Sequence, residues 1–313
     1  MSNKRKLLID TDAGVDDAQA ILLALTNPDV EVIGITCVDG NTNTHQVGLN
    51  VLRILQVVNR LDIPVYIGCT EPLLGDKKPS NEYHGVDGFG DVPDENAPDS
   101  SHLQTEHGVS ALVRLSKEHE GEITLVCIGP LTNIAMAVRM DSKFGSRIKH
   151  CYIMGGNHEG KGNMTASAEF NFYADPEAAY VVLNQLKSPI TMVTWETCEN
   201  HPLSWEFYRR ARGPDTPINN LLREVEKHSA KFAEDNEWGS FVTADELVMS
   251  CFLNSDVIKN SCDVYATVDT KGQYTCGQMV VDWKSFMKQP NNVTIITDIH
   301  QSKYEELLLG LNC

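Results

Sequence analysis

One stretch near the N-terminus constrains this chain more than any other: Asp10-Thr11-Asp12-Ala13-Gly14-Val15-Asp16-Asp17-Ala18, directly behind the apolar run Leu7-Leu8-Ile9. A short continuous apolar run reads as a buried strand, and Ala18, Ile21, Leu22, Ala24 and Leu25 follow at helical spacing. Ala13-Gly14 is therefore the expected turn between strand and helix. That arrangement crowds Asp10, Asp12, Asp16 and Asp17 onto one strand end and one helix start. Two carboxylates about 4 Å apart repel by roughly 4 kcal/mol at an effective dielectric of about 20. A helix N-terminus returns only about 0.3–1 kcal/mol per acid. A bound cation is the simplest remedy, and a solvated, capped helix start is the plainer alternative.

The rest of the chain repeats the strand-then-helix alternation. Strands are expected at 31–38, 64–68, 123–128, 148–154 and 190–194, with helices at about 44–58, 107–119 and 131–138 and a helix start at Asp175-Pro176-Glu177. This pattern predicts a Rossmann-like, doubly wound, mostly parallel sheet flanked by helices. Residues 203–253 read as mainly helical, and strands at 263–268 and 293–296 precede a final helix. Residues 70–104 are rich in Pro, Asp, Asn, Ser and Gly, and a loop this long inside a compact fold is usually functional or disordered. No internal repeat or linker interrupts the alternation, so residues 1–313 are expected to form a single domain.

Charge narrows the ligands. Lys and Arg number 26 against 43 Asp and Glu, a formal net charge of −17, which disfavours nucleic acid and anionic membrane surfaces. The nine cysteines form no Cys-x-x-Cys pair, a usage that fits a reducing cytoplasm better than a disulfide framework. Three apolar residues after Lys4-Arg5-Lys6 are too few for a signal-peptide core. In an open α/β sheet ligands bind at the carboxyl ends of strands. The acidic stretch, Asn41, Ile128 and Met154-Gly155-Gly156-Asn157 all follow expected strands. Their carboxylate and carbonyl oxygens suit a hard cation, with Ca²⁺ tolerating more ligands and less regular geometry than Mg²⁺.

These residues carry a resemblance. Asp10 to Ala18 matches the pattern Asp-x-Asp-x-Gly-x-Asp-Asp-Ala, and Asp39-Gly40-Asn41, His84-Gly85, Gly129-Pro130-Leu131-Thr132-Asn133, Met154-Gly155-Gly156, Gly162-Asn163, Ala168-Glu169-Phe170-Asn171 and Asp175-Pro176-Glu177 follow in order. The chain resembles the nucleoside hydrolases, also called inosine-uridine preferring nucleoside hydrolases. The resemblance implies hydrolysis of the N-glycosidic bond of ribonucleosides to ribose and free base, in purine or pyrimidine salvage, with Ca²⁺ as cofactor. It implies a metal held by Asp12, Asp17, the Ile128 carbonyl and Asp245, with Asp12 also the general base and Asp10 in support. Asp16, Asn41, Asn163, Glu169 and Asn171 match ribose-binding positions, Met154 lies beneath the sugar, and Phe170 belongs with this set. Family members are usually oligomers, so a homodimer or homotetramer is expected. The chain departs from the pattern at Ala244, where many members have a His suited to protonating the leaving base. His84, Glu237 or Trp238 are the candidates to substitute.

The chemistry of the residues agrees with that implication. A sugar becoming an oxocarbenium ion gains from nearby carboxylates and amide oxygens as charge develops. Two other functions compete. Asp10-Thr11-Asp12 after a strand also fits a haloacid-dehalogenase-like phosphatase, which leaves Asp16, Asp17 and the Glu169 stretch without a role. A nucleoside- or ribose-binding protein without turnover is supported by Ala244.

Overall fold

The apolar run before the acidic stretch lies in strand β1 (Arg5–Thr11), at the middle of a nine-stranded sheet. The computed structural model describes residues 4–80 and 82–312. Among them the other strands are β2 (Val30–Cys37), β3 (Val65–Ile67), β4 (Leu103–Gln104), β5 (Ile123–Cys127), β6 (His150–Met154), β7 (Ile190–Val193), β8 (Ile258–Val264), β9 (Ala266–Val268), β10 (Met279–Val281) and β11 (Val293–Ile299). The large sheet runs β4-β3-β2-β1-β5-β6-β7-β11-β8. Its pairings are parallel except for β8, which runs antiparallel to β11 at one edge.

β1 is apolar throughout its centre because both its faces are covered, as expected of parallel strands. Leu7 and Ile9 pack among the helices Val15–Thr26, Thr44–Val57 and Asp245–Leu253 on one face. Leu8 points to the other face, among Gly108–Glu118, Thr132–Met140 and Pro176–Gln185. From β1 the chain winds out to β2 and β3, then returns to place β5, β6 and β7 on the opposite side. The order therefore reverses between β1 and β5, and their carboxyl ends open a crevice at that switch point.

Several expectations are revised. The expected strand at 263–268 is two strands broken at Tyr265, whose carbonyl accepts the Asp282 N–H at 2.9 Å. β8 begins earlier, at Ile258, and β9 pairs with β10 in a separate two-stranded sheet that the sequence did not announce. The long loop hides a strand, β4, which continues the parallel sheet beside β3. The helical stretch 203–253 divides into Trp205–Ala211, Pro217–Val225, Lys227–Asp235 and Asp245–Leu253. Asp175 does start a helix: its carboxylate accepts the Ala178 N–H at 3.0 Å, with Pro176 at the first position. Among the described residues no helix is long and apolar enough to cross a membrane.

Candidate active site

β1 buries Asp10 close to its carboxyl end and places Asp12 one residue beyond it, and the turn at Ala13-Gly14 starts the helix that carries Asp16 and Asp17. Ala13 holds a positive φ of 36°, a conformation rarely adopted by residues with a side chain. Its carbonyl accepts from buried Asn50 Nδ2 at 3.3 Å, and the same nitrogen donates to the Asp87 carbonyl at 2.9 Å. One amide thus ties the acidic turn to the loop that bears His84.

The four carboxylates do different things. Asp10 is fully buried and accepts from Thr36 Oγ1 and, at 2.8 Å, from Asn133 Nδ2. Burial pushes its pKa up to about 7 despite those bonds. Asp17 lies behind the turn, accepting from Thr11 Oγ1 and from the Gly14 N–H at 2.7 Å. Its pKa is also raised to about 7, first by burial and then by Asp16. Asp12 is buried between the ends of β1, β2 and β5. Its Oδ2 accepts the Asn41 N–H at 2.9 Å, whereas its Oδ1 has no hydrogen-bond partner. Asp245, the first residue of its helix, hydrogen-bonds to Asp17. Burial, then neighbouring carboxylates, holds both Asp12 and Asp245 well above the usual range.

This is an oxygen-lined cluster that could hold a cation. One carboxylate oxygen each from Asp16, Asp17 and Asp245 lie within 4.8 Å of one another; Asp12, expected among the ligands, is not in that group, although its charge interacts with those of Asp17 and Asp16 and its Oδ1 has no hydrogen-bond partner. With no thiol or imidazole in the cluster, the donor set is that of a hard cation. Asp16, expected on the sugar side, belongs to this cluster as well as to the cavity wall. The backbone is shaped to fit. A Cβ on Gly40 would fall 2.1 Å from Asp12 Oδ2, and one on Gly14 would fall 2.6 Å from Asn41 Nδ2 and 2.8 Å from His84 Nδ1. Only glycine permits these approaches.

Above the cluster is a cavity of about 370 Å³, large enough for a small molecule. Asp12, Asp16, Asn41, His84, Ile128, Met154, Asn163, Glu169, Phe170, Asn171, Trp238 and Asp245 all line it, whereas Asp10 and Asp17 lie behind its wall. Glu169 caps the helix Phe170–Ala174, its carboxylate accepting the N–H groups of Asn171, Phe172 and Gly156 at 2.7, 3.1 and 2.8 Å. Burial outweighs these bonds and lifts its pKa to about 7. Asn171 Nδ2 donates to the Met154 carbonyl at 3.2 Å, and Asn163 Oδ1 accepts the Phe170 N–H at 2.9 Å.

The far end of the cavity is aromatic. Tyr83 stacks on Trp238 with ring centroids 6.1 Å apart and planes at 23°, and Phe232 meets both rings edge-on at 5.9 Å. His84 Nδ1 accepts the Val15 N–H at 3.2 Å, which leaves the ring proton on Nε2. Burial lowers the His84 pKa despite Asp16 Oδ1 3.7 Å away, so the ring is neutral. Sequence reasoning singled out Trp238 and His84 but did not name Tyr83, Trp195, Glu199, Phe232 or Val242 as lining residues. Adjacency to His84 in the long loop was the available signal for Tyr83. Glu237 is exposed at φ 55° and does not line the cavity.

Known proteins share this architecture. The sequence model of the family described as inosine-uridine preferring nucleoside hydrolase matches residues 7–306. The chain is 33% identical over 305 residues to the pyrimidine-specific ribonucleoside hydrolase RihA of Escherichia coli O1:K1 / APEC, covering 96% of each. It superposes on an inosine-guanosine nucleoside hydrolase with a TM-score of 0.90 at 31% identity, covering 98% of both chains. For the purine-preferring ribonucleoside hydrolase from Gardnerella vaginalis the TM-score is 0.88 at 25% identity, covering 98% of this chain and 99% of that one. The chain therefore belongs to the inosine-uridine preferring nucleoside hydrolase family, and it is an N-ribosyl hydrolase acting on ribonucleosides.

Proposed function

We propose that this enzyme cleaves the C1′–N bond of ribonucleosides with Ca²⁺ as its cofactor and Asp12 as its general base. The observation that carries the reading is that twelve residues expected from separate strand ends and loops line one cavity above an all-oxygen carboxylate cluster. Asp12, Asp17, Asp245 and the Ile128 carbonyl would hold the Ca²⁺, with Asp16 beside them. Bound there, the cation would lower the pKa of adjacent water and would favour a ribose with its diol intact.

The chain's own residues do the remainder. Asp12 Oδ1, buried without a hydrogen-bond partner, accepts the proton of the attacking water. Asp10, two residues earlier in β1, supports the site from the core. Asp16, Asn41, Asn163, Glu169 and Asn171 engage the ribose hydroxyls, with Met154 beneath the ring and Phe170 alongside. As C1′ becomes cationic, these carboxylates and amide oxygens interact more strongly and lower the barrier. Loss of the 2′-hydroxyl leaves buried polar groups unpaired, so kcat/KM for deoxyadenosine is expected to fall at least about a hundredfold below that for adenosine. Equal rates on the two would contradict the ribose assignment.

The leaving base sits between aromatic walls in this reading. Neutral His84 offers its Nε2–H, and the Trp238 and Tyr83 faces stack on the ring, tasks that Ala244 cannot take. Trp238→Ala is expected to cost purine nucleosides about tenfold in kcat/KM and pyrimidines less, since stacking scales with ring area. Unchanged purine turnover would remove Trp238 from the mechanism. The relatives include a pyrimidine-specific and a purine-preferring enzyme, so the decisive experiment is a turnover panel of inosine, adenosine, guanosine, uridine and cytidine, with and without chelator. We also assign residues 1–313 to one hydrolase domain acting as a homodimer or homotetramer in the cytoplasm, which sedimentation and localisation of the tagged protein would test.

A further inference from the structure

The segment from Gly155 to Glu169 brings Asn163 and Glu169 to the cavity, yet it contains no helix or strand. A buried carboxylate from another element holds its first half. Glu196, on the helix Trp195–Asn200, has a side chain that is fully enclosed and does not line the cavity. Its Oε2 accepts the His158 N–H at 2.8 Å, and its Oε1 accepts those of Glu159 and Lys161 at 2.9 and 3.1 Å. Backbone N–H groups wrapped on one carboxylate form an anion-binding nest. His158 closes it: Nδ1 lies 3.3 Å from Glu196 Oε2 and 2.6 Å from Thr194 Oγ1. Burial raises the Glu196 pKa, but the bonds from His158 and the Lys161 and Glu159 backbone outweigh it, so the group is held below its ordinary value and is ionised. Charge-assisted bonds of this kind are about twice as strong as neutral ones.

The second half of the segment has its own ties. Asn157 Nδ2 donates to the carbonyls of Lys161 and Ser167 at 2.8 and 2.7 Å, and the Phe170 N–H holds Asn163 Oδ1. Asn163 therefore sits between the Glu196 nest and the start of the helix Phe170–Ala174. Releasing the nest frees the His158, Glu159 and Lys161 N–H groups and leaves the approach to Asn163 from that side held by the Asn157–Lys161 contact alone.

We propose that Glu196 is a positioning residue for substrate binding: by gripping the His158–Lys161 backbone it presents Asn163 to the ribose. The proposal rests on the ribose role assigned to Asn163 above. Glu196→Gln is the sharpest test, because it conserves shape but turns an amide N–H donor toward backbone donors. A residue that merely fills space would tolerate it. In this variant KM for the best ribonucleoside substrate is expected to rise about tenfold while kcat changes less than about threefold. Faster deuterium exchange at the 158–161 amides is expected to accompany it. Glu196→Asp keeps the charge but loses reach, so its KM should fall between wild type and Gln, and it carries the test if the Gln protein does not fold. Adding Glu196→Gln to Asn163→Ala should raise KM no further than Asn163→Ala alone, as for two members of one physical chain. An unchanged KM in Glu196→Gln, or full additivity in the double variant, overturns the proposal. Wild-type KM in Asn163→Ala would instead overturn the ribose assignment, whatever Glu196 does.

Discussion

Replacing Asp12 by Asn is expected to lower kcat about a thousandfold or more while the protein still folds. Asp12 is the carboxylate with one oxygen fixed by the Asn41 N–H and the other without a hydrogen-bond partner. An amide keeps the shape and the Asn41 contact but cannot take a proton from water near neutral pH. Folding should survive because the change removes a charge that burial, Asp17 and Asp16 already disfavour. In chelator, then, the variant should melt at or above the wild-type temperature, since repulsion within the cluster is relieved and no new void is opened. Two measurements decide it: kcat on inosine and uridine, and the thermal midpoint with and without Ca²⁺. A kcat within about tenfold of wild type would remove Asp12 as the base, and a collapsed midpoint in chelator would mean that its role is structural.

Why this site was legible in part follows from how each residue reaches it. Asp12, Asn41, Ile128 and Met154 sit at or just beyond the carboxyl ends of β1, β2, β5 and β6. A strand's apolar run announces where it ends, and the fold class announces which end binds ligand. Position in the chain was thus enough to bring them together. Tyr83, Phe232, Trp195 and Glu199 come instead from a loop and helices whose orientation toward the cavity is decided by tertiary packing, so no local period marks them. Glu196 is harder still. Read locally it is an acid in the first turn of a short helix, and only the folded loop reveals the backbone N–H groups it gathers. The same limit applies to the sheet. β1, β2, β5 and β6 carry apolar runs, whereas β4 is two residues inside a polar loop and β9–β10 pair across an intervening irregular stretch.

Stripping divalent cations is expected to cut turnover at least about a thousandfold and to make the protein more stable in mild acid than in mild base. Without a cation, Asp10 and Asp17 have pKa values of about 7, Glu169 likewise, and Asp12 and Asp245 are raised too. A carboxyl with a raised folded-state pKa binds its proton more tightly folded than unfolded. The stability it contributes is complete below its ordinary pKa and is lost as pH climbs through the folded value. Metal-free protein should therefore lose stability between about pH 4 and about pH 7, the opposite of the trend given by carboxylates in ion pairs. With the ligands proposed above, Ca²⁺ would replace the proton at Asp12, Asp17 and Asp245 and bind more tightly as they ionise, so saturating cation should raise the urea midpoint most at the basic end. Glu169 lies outside the cluster, held by three backbone N–H groups, and a shallower decline owed to it should persist with cation present. The comparison is of urea midpoints at about pH 5 and about pH 8, in chelator and in Ca²⁺. A chelated protein more stable at the higher pH, or full activity after complete metal removal, would show that the acidic stretch holds its charges apart by some other means and that the carboxylate cluster is not a cation site.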